Sequence, residues 1–152
     1  VITVRIQNAA FDTAVELAAV DGDGIGAVAS FTGIVRRDGE VDAIELEHYP
    51  GMTEASLTHI CEEAMRRWQL SGCSIIHRIG RMRVGEAIVL VVTASSHRAD
   101  ALEACAYLID RLKTDAPFWK KEFRDGAAHW VESKDSDTAR AERWDRPTER
   151  IE

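Results

Sequence analysis

Residues 112–122 read LKTDAPFWKKE, and the proline in their middle decides what stands on either side. Pro117 has no amide hydrogen, and its ring pushes the residue before it out of helical conformation. The segment ahead of it carries Ala101, Leu102, Cys105, Leu108, Ile109 and Leu112 at helical spacing, the mark of one buried stripe. A helix is therefore expected from His97 to about Lys113, with Ser95 or Ser96 as its cap. Lys113 then falls in the last turn, where a cation suits the helix dipole. Lys120 follows on the far side of the proline, and the turn allows the two ammonium groups to meet in one pocket walled by Phe118 and Trp119. In that arrangement repulsion and desolvation favour the neutral amine and make a lysine usable as an acid or base. Ordinary solvated lysines fit the same positions.

Working outward, residues 86–95 include AIVLVVTAS, apolar almost throughout, which predicts a central strand covered on both faces. Cys73 to Ile79 predicts its neighbour, with a turn near Val84 and Gly85. Alternation over residues 1–7 suits another strand. Asp12 caps a short helix through Val20, and DGDG at 21–24 reads as a turn. Gly26 to Val35 and Val41 to Tyr49 predict two strands joined by the Asp-Gly turn of RRDGE. Pro50 and Gly51 stop the second, and Thr53 opens a capping pattern for a helix to about Leu70. A short strand at His129 to Glu132, a helical stretch after Asp135 and a frayed tail over 146–152 complete one α+β domain spanning 1–152.

The bulk numbers narrow the function classes. A chain of 152 residues with 45% hydrophobic and 30% charged side chains suits one globular domain. No apolar run approaches the roughly 20 residues a membrane span needs, and VITVRIQNAA has no basic start followed by an apolar stretch. A cytoplasmic location without membrane contact is expected. The net charge of -7 argues against nucleic acid as a partner, so any bound anion must meet a local positive cluster. Cys61, Cys73 and Cys105 are odd in number and irregular in spacing, which argues against a disulfide framework. The scattered histidines have no metal-ligand spacing, and no metal or cofactor is expected.

Several cations stand where an anion could explain them. His97 and Arg98 sit at the start of the long helix, where a positive side chain is unfavourable by about 0.3–1 kcal/mol. A bound phosphate would reverse that sign, although two solvated side chains are equally compatible with the position. Arg36 and Arg37 end a strand beside a turn, where solvated charge is common. Cys105 follows His97 by about two helical turns, but its place in the apolar stripe favours an inert buried thiol.

FTGIVR at 31–36, LEHYPGMTE at 46–54, IHRIG at 76–80, SSHR at 95–98, LKTDAPFWKKE at 112–122 and HWVE at 129–132 together resemble the large subunit of molybdopterin synthase. The resemblance implies an α/β hammerhead fold, with a mainly antiparallel sheet packed against helices. It also implies a homodimer at the centre of a heterotetramer, each protomer binding a small ubiquitin-like sulfur carrier. The carrier's C-terminal Gly-Gly thiocarboxylate would deliver sulfur to cyclic pyranopterin monophosphate, forming the dithiolene of molybdopterin. Lys113 and Lys120 match the catalytic lysines of that family, with Lys121 and Glu122 beside them. Ile34, Val35 and Arg36 match the anion-binding strand end, and His97 and Arg98 the pair that holds the phosphate or pterin. Lys134 stands where a further basic side chain can be supplied.

Overall fold

The computed structural model describes residues 1–131 and 135–145. Lys134 and the tail over 146–152 lie outside the described residues, as does Glu132. The chain runs β1 (Ile2–Gln7), α1 (Thr13–Ala18), β2 (Ala27–Ile34), β3 (Val41–His48), α2 (Met52–Arg67), β4 (Leu70–Arg78) and β5 (Gly80–Arg83). It continues through β6 (Ala87–Ser95), α3 (Arg98–Asp115), β7 (Phe118–Arg124), β8 (Ala127–Val131) and α4 (Asp135–Glu142), and closes on a 3-10 turn, Arg143–Asp145.

The strands form two four-stranded sheets, ordered β1-β4-β6-β2 and β5-β3-β7-β8. Every pairing is antiparallel except β1 with β4. The fold is thus mixed α+β and mainly antiparallel, with two sheets in place of the single sheet expected. As its composition predicts, β6 is central and is buried from Val89 through Ser95. One face of its sheet packs Ile75, Val89 and Val91 against Leu57, Ile60 and Ala64 of α2 and Ala101, Leu108 and Leu112 of α3. Each large side chain buried there contributes about 1.5–3 kcal/mol. The opposite face holds Ile76, Leu90 and Val92 under Phe11, Leu17 and Val20. Val35, Val41, Ile44, Leu46 and Met82 form a second core at the other sheet. At the corner between β4 and β5, Gly80 adopts φ +85°, and a Cβ there would collide with Asn8 Oδ1.

The helix starts differ from expectation. Asp12 does cap α1, accepting from the amides of Ala14 and Val15. Thr53, however, does not cap α2, which begins at Met52 with Gly51 as its cap residue. Its hydroxyl accepts from the Tyr49 amide at 2.9 Å and donates to the Pro117 carbonyl at 3.0 Å. Neither Ser95 nor Ser96 is the cap residue of α3; His97 is. Ser95 Oγ donates instead to the Gln69 carbonyl and accepts from the His97 amide.

Asp110, buried on α3, anchors the C-terminal segment. Its Oδ2 accepts from Arg143 Nε at 3.1 Å, Arg143 Nη2 at 2.7 Å and Trp144 Nε1 at 2.7 Å. Trp144 meets the rings of Trp68 and Tyr107 edge-on. Asp110→Ala strands the indole N–H and the guanidinium together. Hydrogen bonds to charged groups are worth about 1.5–3 kcal/mol, and the exposure of Arg143 reduces its share. A loss of about 2 kcal/mol and a melting temperature lower by roughly 4–8 °C are expected, measurable by calorimetry. An unchanged melting curve would mean that Asp110 does not anchor the segment.

Candidate active site

Three elements converge on a cavity of about 650 Å³, within the range that suits a small ligand. The first is the end of β2. Its pairing with β6 shifts register between Gly33 and Ile34, and the buried Val35 donates its amide to the Glu86 carbonyl at 2.9 Å. Arg36 therefore leaves the sheet while Val35 stays fixed, and Ile34, Val35 and Arg36 all line the cavity.

The second element is the last turn of α3, which carries Lys113 to the cavity. Ahead of Pro117, Ala116 turns to extended backbone, with φ -86° and ψ 128°, as the residue before proline should. The Thr53 hydroxyl holds the Pro117 carbonyl at this corner, fixing the geometry from α2.

The third element is β7, where a turn was expected. Side chains alternate along a strand: Phe118, Lys120 and Glu122 line the cavity, and Trp119 and Lys121 take the other face. Trp119 is exposed and tilts against Tyr49, so it is no part of the pocket wall. Lys121 Nζ stands 3.6 Å from Glu45 and 3.3 Å from Glu47, over the Trp130 ring at 4.4 Å. Lys121 is therefore held away from Lys113 and Lys120.

The two lysines at the cavity have unlike surroundings. Lys120 Nζ lies 3.8 Å from Glu122 Oε1, and the other oxygen of Glu122 takes Arg124 at 2.7 Å. Among the described residues Lys113 has no carboxylate within 4.0 Å. Its charge is the less neutralised of the two. Asp38 and Asp137 add the remaining acidic side chains of the lining.

His97 and Arg98 are exposed at the opposite end of α3. At ~1.5 Å per residue the helix sets Arg98 roughly 22 Å from Lys113, so one chain cannot bring both to a single small ligand. Cys105 is buried, and burial pushes its thiol up to about 11, which makes a nucleophile of the Cys-His kind unavailable.

His77 belongs to the lining although only its IHRIG motif, and no ligand spacing, marks it in the sequence. Its ring stacks on Phe118 with centroids 3.9 Å apart, and Nδ1 lies 2.8 Å from the Arg78 carbonyl. Burial pushes its imidazole down to about 4, the Arg78 carbonyl opposes that, and the charges of Lys113 and His48 add to it. The unfolded chain, with an ordinary value near 6.5, therefore binds the proton more readily. Stability from this group is complete above pH 6.5 and is lost as pH falls toward 4. The span corresponds to about 3 kcal/mol. Denaturant unfolding of the wild type should show this loss relative to His77→Asn; parallel pH dependences of the two would contradict the assignment.

Comparison with known proteins gives the family. The family model described as MoaE protein matches residues 6–115. The molybdopterin synthase catalytic subunit of Mesorhizobium japonicum is 54% identical over 147 residues, covering 93% of this chain and 92% of the relative. The solved molybdopterin biosynthesis MoaE protein from Burkholderia ambifaria superimposes with a TM-score of 0.84 at 46% identity, over 97% of this chain and 100% of that one. Molybdopterin synthase from Staphylococcus aureus gives a TM-score of 0.80 at 34% identity, over 84% of this chain and 96% of that one. From the family match and the near full-length identity to a relative, the chain belongs to the MoaE protein family.

Proposed function

We propose that this chain is the catalytic subunit of a molybdopterin synthase, acting in the cytoplasm as a single domain. It takes sulfur from the C-terminal Gly-Gly thiocarboxylate of a small ubiquitin-like carrier and transfers it to cyclic pyranopterin monophosphate. The observation that carries this reading is the meeting of Lys113 with Lys120 and Arg36 at one cavity. It is supported by relatives and solved neighbours named for the same synthase.

The chemistry asks for what these residues offer. The thiocarboxylate sulfur bonds to a substrate carbon and displaces an oxygen substituent from it; water then attacks the carrier's acyl carbon, the acyl C–S bond breaks, the sulfur stays on the substrate as a thiolate, and the carrier leaves as a carboxylate. Negative charge develops on oxygen as sulfur adds, and protons must be moved. Lys113, with no nearby carboxylate, serves as acid/base and electrostatic stabiliser. Lys120, steadied by Glu122, orients the carrier's terminal group. Ile34 and Val35 shape the strand end from which Arg36 reaches the substrate's phosphate.

His97 and Arg98 complete the phosphate site from a second copy of the chain, because α3 is too long for them to do so in their own protomer. The active assembly is then a homodimer with one carrier on each protomer, a heterotetramer. Lys121, on the other face of β7 beside Glu45 and Glu47, stays a candidate for substrate contact together with Glu122.

Reconstitution tests the reading. The chain mixed with thiocarboxylated carrier and cyclic pyranopterin monophosphate should associate with the carrier and yield molybdopterin. Binding of simple nucleotides without carrier association or turnover would identify a regulatory phosphate-binding module instead.

A further inference from the structure

Among the described residues His77 is the only histidine lining the cavity, and the sulfur transfer gives it no task among the roles of Lys113, Lys120 and Arg36. It ends a buried strand and is locked twice, by the stacked Phe118 ring and by the Arg78 carbonyl. A carbonyl oxygen only accepts, so Nδ1 carries the ring proton and Nε2 keeps a free lone pair. No described residue bonds Nε2. Yet no buried side-chain nitrogen or oxygen among the described residues is left without a partner. Nε2 is therefore the part of the ring that opens on the cavity.

We propose that His77 positions Lys113: as carrier and substrate enter the cavity that both residues line, Lys113 Nζ swings to Nε2, which accepts its hydrogen bond and holds that ammonium toward the reacting sulfur. This role rests on the sulfur-transfer function. The ring is suited to the task because it adds no charge. A carboxylate would neutralise the lysine, as Glu122 does for Lys120, whereas a neutral imidazole aims the ammonium and leaves its charge to meet the developing anion. Burial keeps His77 neutral at working pH, so it does not repel the lysine it holds. The ring is already fixed, so holding Lys113 costs the entropy of one side chain rather than two.

Other charged groups share the cavity with Lys113. Arg36 and Asp38 beyond β2, Lys120 and Glu122 on β7 and Asp137 on α4 line the same cavity, His48 on β3 acts on His77, and all remain in a variant of His77. A neutral acceptor stabilises an ammonium, so on the proposal its loss moves the alkaline limb of the rate profile to lower pH.

His77→Asn keeps an N–H for the Arg78 carbonyl and removes Nε2; His77→Gln can restore an acceptor near the place of Nε2. With thiocarboxylated carrier and cyclic pyranopterin monophosphate, His77→Asn should slow the saturated single-turnover rate by roughly 10–100-fold with little change in KM. The alkaline limb of its rate profile should shift to lower pH, and His77→Gln should recover part of both. Nitrogen NMR with the carrier and cyclic pyranopterin monophosphate bound gives a readout that needs no His77 variant: the Nε2 resonance should move in Lys113→Ala while Nδ1 stays. An alkaline limb unmoved in both His77 variants, or an Nε2 resonance indifferent to Lys113→Ala, overturns the proposal. A wild-type chain that makes no molybdopterin overturns the sulfur-transfer function itself, and this role with it.

Discussion

Lys113→Ala is expected to abolish dithiolene formation, lowering the single-turnover rate by at least ~10³-fold, while the carrier still binds. Acid–base catalysis by a placed group contributes roughly 10²–10⁴-fold, and a preorganised positive charge at the developing oxyanion a comparable factor. On the proposed mechanism one residue provides both. Lys120 cannot substitute, since Glu122 lies 3.8 Å from its ammonium and Lys120 reaches the cavity from β7, another element. The fold should survive, because Lys113 is exposed and truncation removes only its favourable place at the helix C-terminus, about 0.3–1 kcal/mol. Circular dichroism and co-elution with the carrier check the two controls. Lys113→Arg separates the roles further: it keeps the charge but cannot release a proton, so it should recover the electrostatic part alone. An unchanged rate in Lys113→Ala would refute the role.

Mixed dimers give the second large effect. If Arg98 of one protomer completes the cavity that holds Lys113 of its partner, then Lys113→Ala and Arg98→Ala homodimers each have two defective sites. A heterodimer of the two variants concentrates both defects in one site and leaves the other wholly wild type. Mixing two impaired proteins under conditions of subunit exchange should therefore restore up to about half of the wild-type activity per heterodimer. The length of α3 requires the second protomer, because a rise of ~1.5 Å per residue separates Arg98 from Lys113 by roughly 22 Å. A site built within one protomer predicts no restoration, because each protomer of the heterodimer carries a lesion. Mass spectrometry of the intact assembly confirms exchange, and molybdopterin formation reads the outcome.

How far the sequence shows these features depends on whether a residue answers to local or distant partners. α3 is legible because its apolar stripe and Pro117 are local facts, and β6 because a continuous apolar run has few other uses. β7 is not legible. Its inward residues Lys120 and Glu122 face a cavity rather than a core, so the apolar alternation that marks a strand is missing where the function lies. The same strand places Trp119 and Lys121 on the opposite face, which a turn after Pro117 would not require. Thr53 misleads because its hydroxyl is spent on Pro117, 64 positions away. His77 escapes a search by ligand spacing because it reaches the cavity only through the packing of β4 against Phe118, which is distant in sequence. The separation of His97 and Arg98 from Lys113 follows from helix length alone, but their use depends on a second chain.

Isotopic labelling of the donor sulfur tests the central claim most directly. The wild-type chain would be given cyclic pyranopterin monophosphate and a carrier whose C-terminal thiocarboxylate bears 34S. Mass spectrometry should find the label in both sulfurs of the molybdopterin dithiolene and the spent carrier as a carboxylate. A carrier that keeps its thiocarboxylate, or molybdopterin without the label, would contradict sulfur transfer at the Lys113 and Lys120 cavity.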